Sequence, residues 1–297
     1  MAADGNDADD DDYQLLVAVG NPDTARQLCR TAVDVAAAND GEILVLSAVI
    51  HSRDSPFSVF SDESIVQQFG SQQQSLLDRA VDQVEEAGVP VTGELAVGTD
   101  LARTIIETME EHGSDAILMG WRERPRSDFV LGSNVDQVIT EAPGDVLVEK
   151  IGPTADGVDS ILLPTADSPH AVLAAETARA IALANDATVH VVHAIDPETS
   201  AVDRETAEEV VAATTNALTD VDVETDVVES TDVGATVVDL AADHDITVIG
   251  ASRKGRLRRF VIGTVTKTVG REAPNTVIVT SRNRDATRLT DALGGSR

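Results

Sequence analysis

The sequence is almost without lysine: Lys150, Lys254 and Lys267 are the only three in 297 residues. It has one cysteine, one tryptophan and one tyrosine, and aromatic residues make up 2% of it. Each scarcity excludes something. A single thiol, Cys29, cannot build a disulfide framework or a cysteine zinc cluster. Its place on the apolar face of an expected helix marks it as a buried structural thiol. No apolar run is long enough to cross a bilayer, so a membrane-embedded chain is not expected. The first residues lack the cationic start and apolar stretch of a signal peptide, which points to the cytoplasm. Cations are few, with 22 Lys and Arg against 52 Asp and Glu and a formal net charge of −30. Nucleic acid is therefore not an expected partner, because phosphate contacts require cations. A lysine-poor acidic surface repels itself unless salt screens it, as in the salty cytoplasm of a halophilic archaeon.

What the chain does have is a second copy of itself. Asp115-Ala-Ile-Leu-Met-Gly120 recurs as Asp245-Ile-Thr-Val-Ile-Gly250, and Phe129-Val-Leu-Gly-Ser133 as Phe260-Val-Ile-Gly-Thr264. Glu141-Ala-Pro143 returns unchanged as Glu272-Ala-Pro274, and a β-branched strand follows each time. The front halves match as well, Leu15-Leu-Val17 with Ile161-Leu-Leu163 and Leu46-Ser-Ala48 with Val192-His-Ala194. Matches at both ends of a long unit mean a duplicated domain.

Apolar runs alternate with amphipathic stretches and short breakers in both copies. That order predicts a parallel sheet with helices on both faces. The expected divisions are an acidic disordered arm at 1–12, a first domain at 13–150, a linker at 151–158, a second domain at 159–281 and a flexible tail at 282–297. Ligands in such sheets bind beyond the carboxyl ends of the strands, where the strand order reverses. That rule brings the loop after the first strand, at Gly20 or Ala166, close to the loop after the fourth, at Gly120 or Gly250.

One loop stands out chemically. The stretch from Gly250 to Thr264 leaves a strand, carries glycines and ends with Gly263-Thr264 opening a helix. A helix start presents free N–H groups and a positive dipole end to an anion. Arg253, Lys254, Arg256, Arg258 and Arg259 crowd into this stretch of an otherwise anionic chain. Phosphate is the expected ligand; the competing reading is a helix cap with cations that neutralise acidic neighbours.

These residues resemble the signature of the universal stress protein family: Gly, two residues, Gly, nine residues, Gly-Ser/Thr. The resemblance covers nearly all of both copies. It implies two tandem five-stranded α/β domains of the Rossmann-like, adenine nucleotide alpha hydrolase-like kind. It implies a pseudo-dimer paired through the last strands, 146–150 and 276–280, with a homodimer of tandem chains as a further level. The implied ligand is ATP or ADP with Mg²⁺. In copy two the implied contacts are Pro164, Thr165, Asp167, Ala194, Gly250, Arg253, Gly255, Gly263, Thr264 and Val265. In copy one they are Val19, Gly20, Gly120, Gly132 and Ser133, a weaker set because Glu123 stands at the middle glycine. In copy two Arg253 stands there, with Gly255 two residues on, and the family's Asp after Thr165 is displaced to Asp167. The implied role is regulatory, in stress response, with at most slow Mg²⁺-assisted hydrolysis. The alternative is a module without nucleotide that docks on a regulator or membrane transporter through the arginine cluster and the 51–70 loop.

Other constellations carry less. His190 and His193 lie three apart on an expected strand and so point to opposite faces, not to one metal. His170 reads as a solvated first-turn residue, and Trp121 as packing beside the Gly120 loop. No metal ligands or catalytic group are assigned.

Overall fold

The computed structural model describes residues 13–51, 64, 67, 70–122, 132–152, 157–198, 201–251 and 263–283. The 1–12 arm, most of the 51–70 loop and the arginine cluster lie outside them. Within the described residues, copy one runs β1 (Gln14–Val19), α1 (Pro22–Ala37), β2 (Glu42–Ile50), α2 (Ser71–Glu86), β3 (Val91–Gly98), α3 (Leu101–His112), β4 (Ala116–Trp121), α4 (Ser133–Glu141) and β5 (Asp145–Lys150). Copy two repeats it as β6 (Ser160–Pro164), α5 (Pro169–Asn185), β7 (Thr188–Ile195), α6 (Ala201–Ala217), β8 (Val223–Glu229), α7 (Val233–Ala241), β9 (Ile246–Gly250), α8 (Thr264–Glu272) and β10 (Thr276–Ser281). No helix among these residues is long and apolar enough to cross a membrane.

The strands form one sheet in the order β3-β2-β1-β4-β5-β10-β9-β6-β7-β8. Pairing is parallel within each copy, and β5 meets β10 antiparallel, with Val148 opposite Val279 and Glu149 opposite Ile278. Strand side chains alternate between two apolar layers, Leu15 and Val17 on one face and Leu16 on the other. Helices α1, α2, α5 and α6 cover the first face; α3, α4, α7 and α8 cover the second. Both layers contain residues of both copies, so the duplication folds around shared cores.

Helix ends follow the sequence. Asn21, Asp100, Ser168 and Asp232 each accept an N–H of the first turn of the helix that follows, capping α1, α3, α5 and α7. The seam between the copies is closed by reciprocal caps at the other end. Lys150 Nζ donates to the Ala273 carbonyl at 2.8 Å, just past α8. Asn283 Nδ2 donates to the Ile139 and Ala142 carbonyls at the end of α4. Arg282 adds an ion pair to Asp145 at 3.3 Å and another to Glu176. The expected flexible tail therefore opens with two anchored residues, held because β10 delivers them onto the first copy.

Cys29 is fully buried, and burial pushes its thiol up to about 12. His170 departs from its expected solvated place. It is 5% exposed, its Nδ1 accepts the Arg282 N–H at 3.0 Å, and its carbonyl accepts from Thr280 Oγ1. The end of β10 passes over the first turn of α5 and removes it from water.

Glu149 is fully buried at the seam. Burial raises its carboxyl to about 7, against the opposing effects of the Gln27 amide, which donates at 2.7 Å, the Thr31 hydroxyl and the Arg30 guanidinium. Burial likewise raises Asp34 on α1 to about 6, although Asn185 of the second copy donates to it at 3.1 Å. A carboxyl raised in the folded state holds a proton that the unfolded chain has already released. Its stabilisation is complete below the ordinary carboxyl range and is lost as pH rises toward the folded-state value. Replacing Glu149→Gln should flatten the fall in melting temperature between about pH 5 and 8, leaving the part due to Asp34, and should stabilise the chain at the alkaline end by about 2–3 kcal/mol. Thermal unfolding in molar KCl at stepped pH checks this; identical slopes would mean that Glu149 stays ionised throughout.

Candidate functional site

The strand order reverses between β1 and β4 in copy one and between β6 and β9 in copy two. A cavity lies at each reversal, at the carboxyl ends of the strands. The copies differ in how far the central strands stay paired. In copy one β1 and β4 pair from Leu15 to Ala18, whereas β6 and β9 pair only at Ile161 and Leu162. Pro164 is the physical reason for the early parting. Thr165 N–H bonds to Val192 of β7, so the preceding nitrogen faces β9, and proline has no hydrogen there to donate.

The cavity opened in copy two encloses about 200 Å³. Its walls are mainly apolar: Val192 and Ala194 of β7, Val233 and Val237 of α7, Ile249 of β9 and Val265 of α8. Thr165, Ser168, His193 and Thr266 supply its polar side chains, and Pro164 and Ala166 complete the rim. Of the residues expected from the sequence, Pro164, Thr165, Ala194, Gly250 and Val265 come together here. Gly263 and Thr264 are not among the lining residues; they open α8 next to Val265, with Gly263 buried and Thr264 exposed. Asp167 is exposed and is not brought to the cavity. Arg253 and Gly255 lie outside the described residues.

The polar groups are already oriented. Thr214 Oγ1 donates to the Val210 carbonyl, so Thr165 Oγ1 donates in turn to Thr214 Oγ1 at 2.7 Å. The Thr165 carbonyl accepts from His193 Nδ1 at 3.0 Å. Burial lowers the His193 pKa, partly offset by that bond. The ring is thus neutral at pH 7, with its proton on Nδ1 and Nε2 as its acceptor. His193 was read from the sequence as an ordinary strand residue. Its place beside Ala194 near the carboxyl end of a strand was the signal that could have marked it.

The N-cap of α8 is Gly263 and that of α4 is Gly132, neither of which makes a side-chain capping bond. The two glycines differ in backbone. Gly132 sits at φ 109°, a region that side chains avoid, while Gly263 is at φ −62°. Copy one has its own cavity of about 350 Å³, lined by Val19, Gly20 and Gly120 together with Leu46, Ala48, Met119 and Arg122. Gly132 and Ser133 are not among its lining residues. Trp121 is 3% exposed and belongs to the apolar core.

The comparisons with known proteins agree with the fold. A model of the universal stress protein family matches residues 14–150 and again 157–281. The chain belongs to the universal stress protein family. Among solved structures it is similar to a universal stress protein from Archaeoglobus fulgidus DSM 4304, at 20% identity and TM-score 0.65, covering 92% of this chain and 97% of that one. It is also similar to a putative universal stress protein from Pseudomonas aeruginosa UCBPP-PA14, at 20% identity and TM-score 0.60, covering 92% and 94%. The cytoplasmic domain of a prokaryotic cation chloride cotransporter aligns at 13% identity and TM-score 0.60, over 95% and 99%. At these identities the likeness is one of fold. No curated protein sequence matches the chain significantly.

As a universal stress protein, the chain keeps the signature's first glycine in both copies, for a reason that precedes any ligand. A Cβ on Gly250 would lie 2.7 Å from the His170 carbonyl carbon and 2.9 Å from the Ala171 nitrogen. A Cβ on Gly120 would lie 2.7 Å from Thr24 Cγ2. In copy two the obstacle is the backbone of a helix's first turn, which leaves no room for a side chain; in copy one it is the side chains of Thr24 and Ile151. Gly250→Ala should therefore destabilise the chain by about 1–3 kcal/mol, whereas Gly20→Ala, with nothing within 4 Å, should stay within about 0.5 kcal/mol of the parent. Urea unfolding of the two variants checks this, and equal stabilities would remove the packing explanation.

Proposed function

We propose that this universal stress protein is a regulatory protein that binds an adenine nucleotide, ATP or ADP, chiefly in copy two. The observation that carries the reading is the apolar cavity at the β6–β9 parting, next to a helix start whose N-cap is a glycine. About 200 Å³ is less than a typical site for a whole ligand, and suits a flat base rather than a nucleotide. In this reading the base enters between Ala194, Val237 and Val265, with His193 Nε2 ready to accept its exocyclic amine. The phosphates lie outside, over the first turn of α8, where backbone N–H groups and the helix dipole favour negative charge. Thr264 is exposed at that turn and can donate its hydroxyl; Arg253 and Gly255 are assigned to the phosphates from the sequence. Mg²⁺ would travel on the phosphate oxygens. The chain's own part is to bind, orient and respond. In this reading His193 Nε2 is engaged by the base and the phosphates lie outside the cavity, so hydrolysis is slow at most. The acidic composition fits work in a salty cytoplasm.

Docking on a membrane transporter is the second reading. It is favoured by one observation, that a transporter's cytoplasmic domain shares this tandem fold over nearly the whole chain.

Protein purified in molar KCl with Mg²⁺, denatured and chromatographed should release adenine nucleotide, near one equivalent per chain. Ala194→Trp, which fills the cavity, should weaken ATP binding at least about tenfold, close to 1.4 kcal/mol, with the circular dichroism spectrum unchanged. An empty protein that gives no calorimetric heat with ATP or ADP would transfer the assignment to the docking module.

A further inference from the structure

At the opposite edge of the sheet from the copy-two cavity, two histidines meet head to head. His190 lies near the start of β7, and His244 follows α7, whose last turn reaches the same edge. The nitrogens Nδ1 of His190 and Nε2 of His244 are 3.3 Å apart, with ring centroids at 5.3 Å and planes inclined by 26°. Each ring is held from behind by a group that only accepts. His190 Nε2 lies 2.9 Å from Asp226 Oδ2, and His244 Nδ1 lies 2.8 Å from the Leu240 carbonyl. Those outer contacts fix one proton on each outer nitrogen, an assignment that follows from the network. With both rings neutral the two inner nitrogens face each other as acceptors, an arrangement that a further proton or a metal cation between them relieves.

The pair has the surroundings of metal-ligating imidazoles, which donate their remote N–H to a carboxylate or a backbone carbonyl. Here one ring has each kind of partner. The spacing also fits. Two nitrogens at about 2.0–2.1 Å from a tetrahedral zinc ion stand about 3.3 Å apart, whereas a hydrogen bond through a shared proton is ordinarily shorter. Both supports are rigid. His190 is held in the sheet between β6 and β8, and Asn275 binds the His244 carbonyl at 2.9 Å while exchanging hydrogen bonds with Thr247. Asp226 and the chain's net charge of −30 favour any cation.

We propose that His190 and His244 form a binding site for a divalent cation of the zinc class, backed by Asp226 and the Leu240 carbonyl. Among the described residues no three metal-ligating side chains converge, so water completes the coordination and the ion exchanges readily. Neutral imidazole selects zinc, copper or nickel over magnesium and calcium, which prefer oxygen. The inference is independent of the nucleotide reading, since it uses another edge of the sheet and other residues.

The test is calorimetric titration of the chelator-treated full chain with ZnCl₂, in molar KCl with excess Mg²⁺ to occupy surface carboxylates. One equivalent of Zn²⁺ should bind. His190→Gln and His244→Gln should each weaken binding at least about tenfold, Asp226→Asn about tenfold, and His112→Gln not at all. Imidazole nitrogen spectra of the unaltered protein keep the test valid if a variant fails to fold, because Zn²⁺ should shift His190 Nδ1 and His244 Nε2. Absence of stoichiometric binding, or binding that survives in the double glutamine variant, would overturn the site. So would spectra showing a proton between the two nitrogens that Zn²⁺ does not displace.

Discussion

The antiparallel pairing of β5 with β10 is the constraint on which the rest of the molecule depends. Alone, each copy would end in a long apolar strand with an unsatisfied edge, open to pairing with any other chain. Joined, they make a ten-stranded sheet with two continuous cores, and what remains at the outside is β3 and β8, both bearing acidic residues. The seam recruits its own fasteners. Lys150 reaches the end of α8, Asn283 the end of α4, and Arg282 ties Asp145 to Glu176. It also forces Glu149 into a dry interior where its charge is disfavoured. Buried acids are a cost that burial of the surrounding apolar strands must exceed.

Much of the fold was legible because the chain says everything twice. Strand and helix order, the parallel sheet and the buried Cys29 follow from periodicity and repetition. The seam follows from the family resemblance and from the apolar character of 146–150 and 276–280. Less legible were features made by residues distant in the chain. His170 looks like a surface residue at a helix start until β10, more than a hundred residues later, passes over it. In the sequence the neighbour of His190 is His193, while its partner in space is His244. No local pattern carries such pairs. Of the candidate site, the residues at strand ends could be read because topology fixes where strands end. Asp167 could not be placed, since one residue of slip in a turn decides whether a side chain faces a crevice or water.

The two copies also separate two meanings of a signature glycine. Gly250 abuts the backbone of a helix start and Gly120 the side chains of Thr24 and Ile151, whatever a copy binds. They mark the fold. What distinguishes the copies lies beside them: Pro164 parts β6 from β9 early, whereas β1 and β4 stay paired longer. The walls differ too, with Val233, Val237 and Val265 enclosing one cavity and Arg122 at the edge of the other. A duplicated domain keeps what packing demands and drifts where packing is indifferent.

Because β5 and β10 run antiparallel, the carboxyl ends of the two sets of strands point in opposite directions. The two crevices therefore open at opposite edges of the sheet, separated by the four strands β4, β5, β10 and β9. A flat partner surface can cover one opening and leave the other exposed to solvent. The molecule thus behaves less like a pair of hands closing on one object than like a connector with two unlike ends.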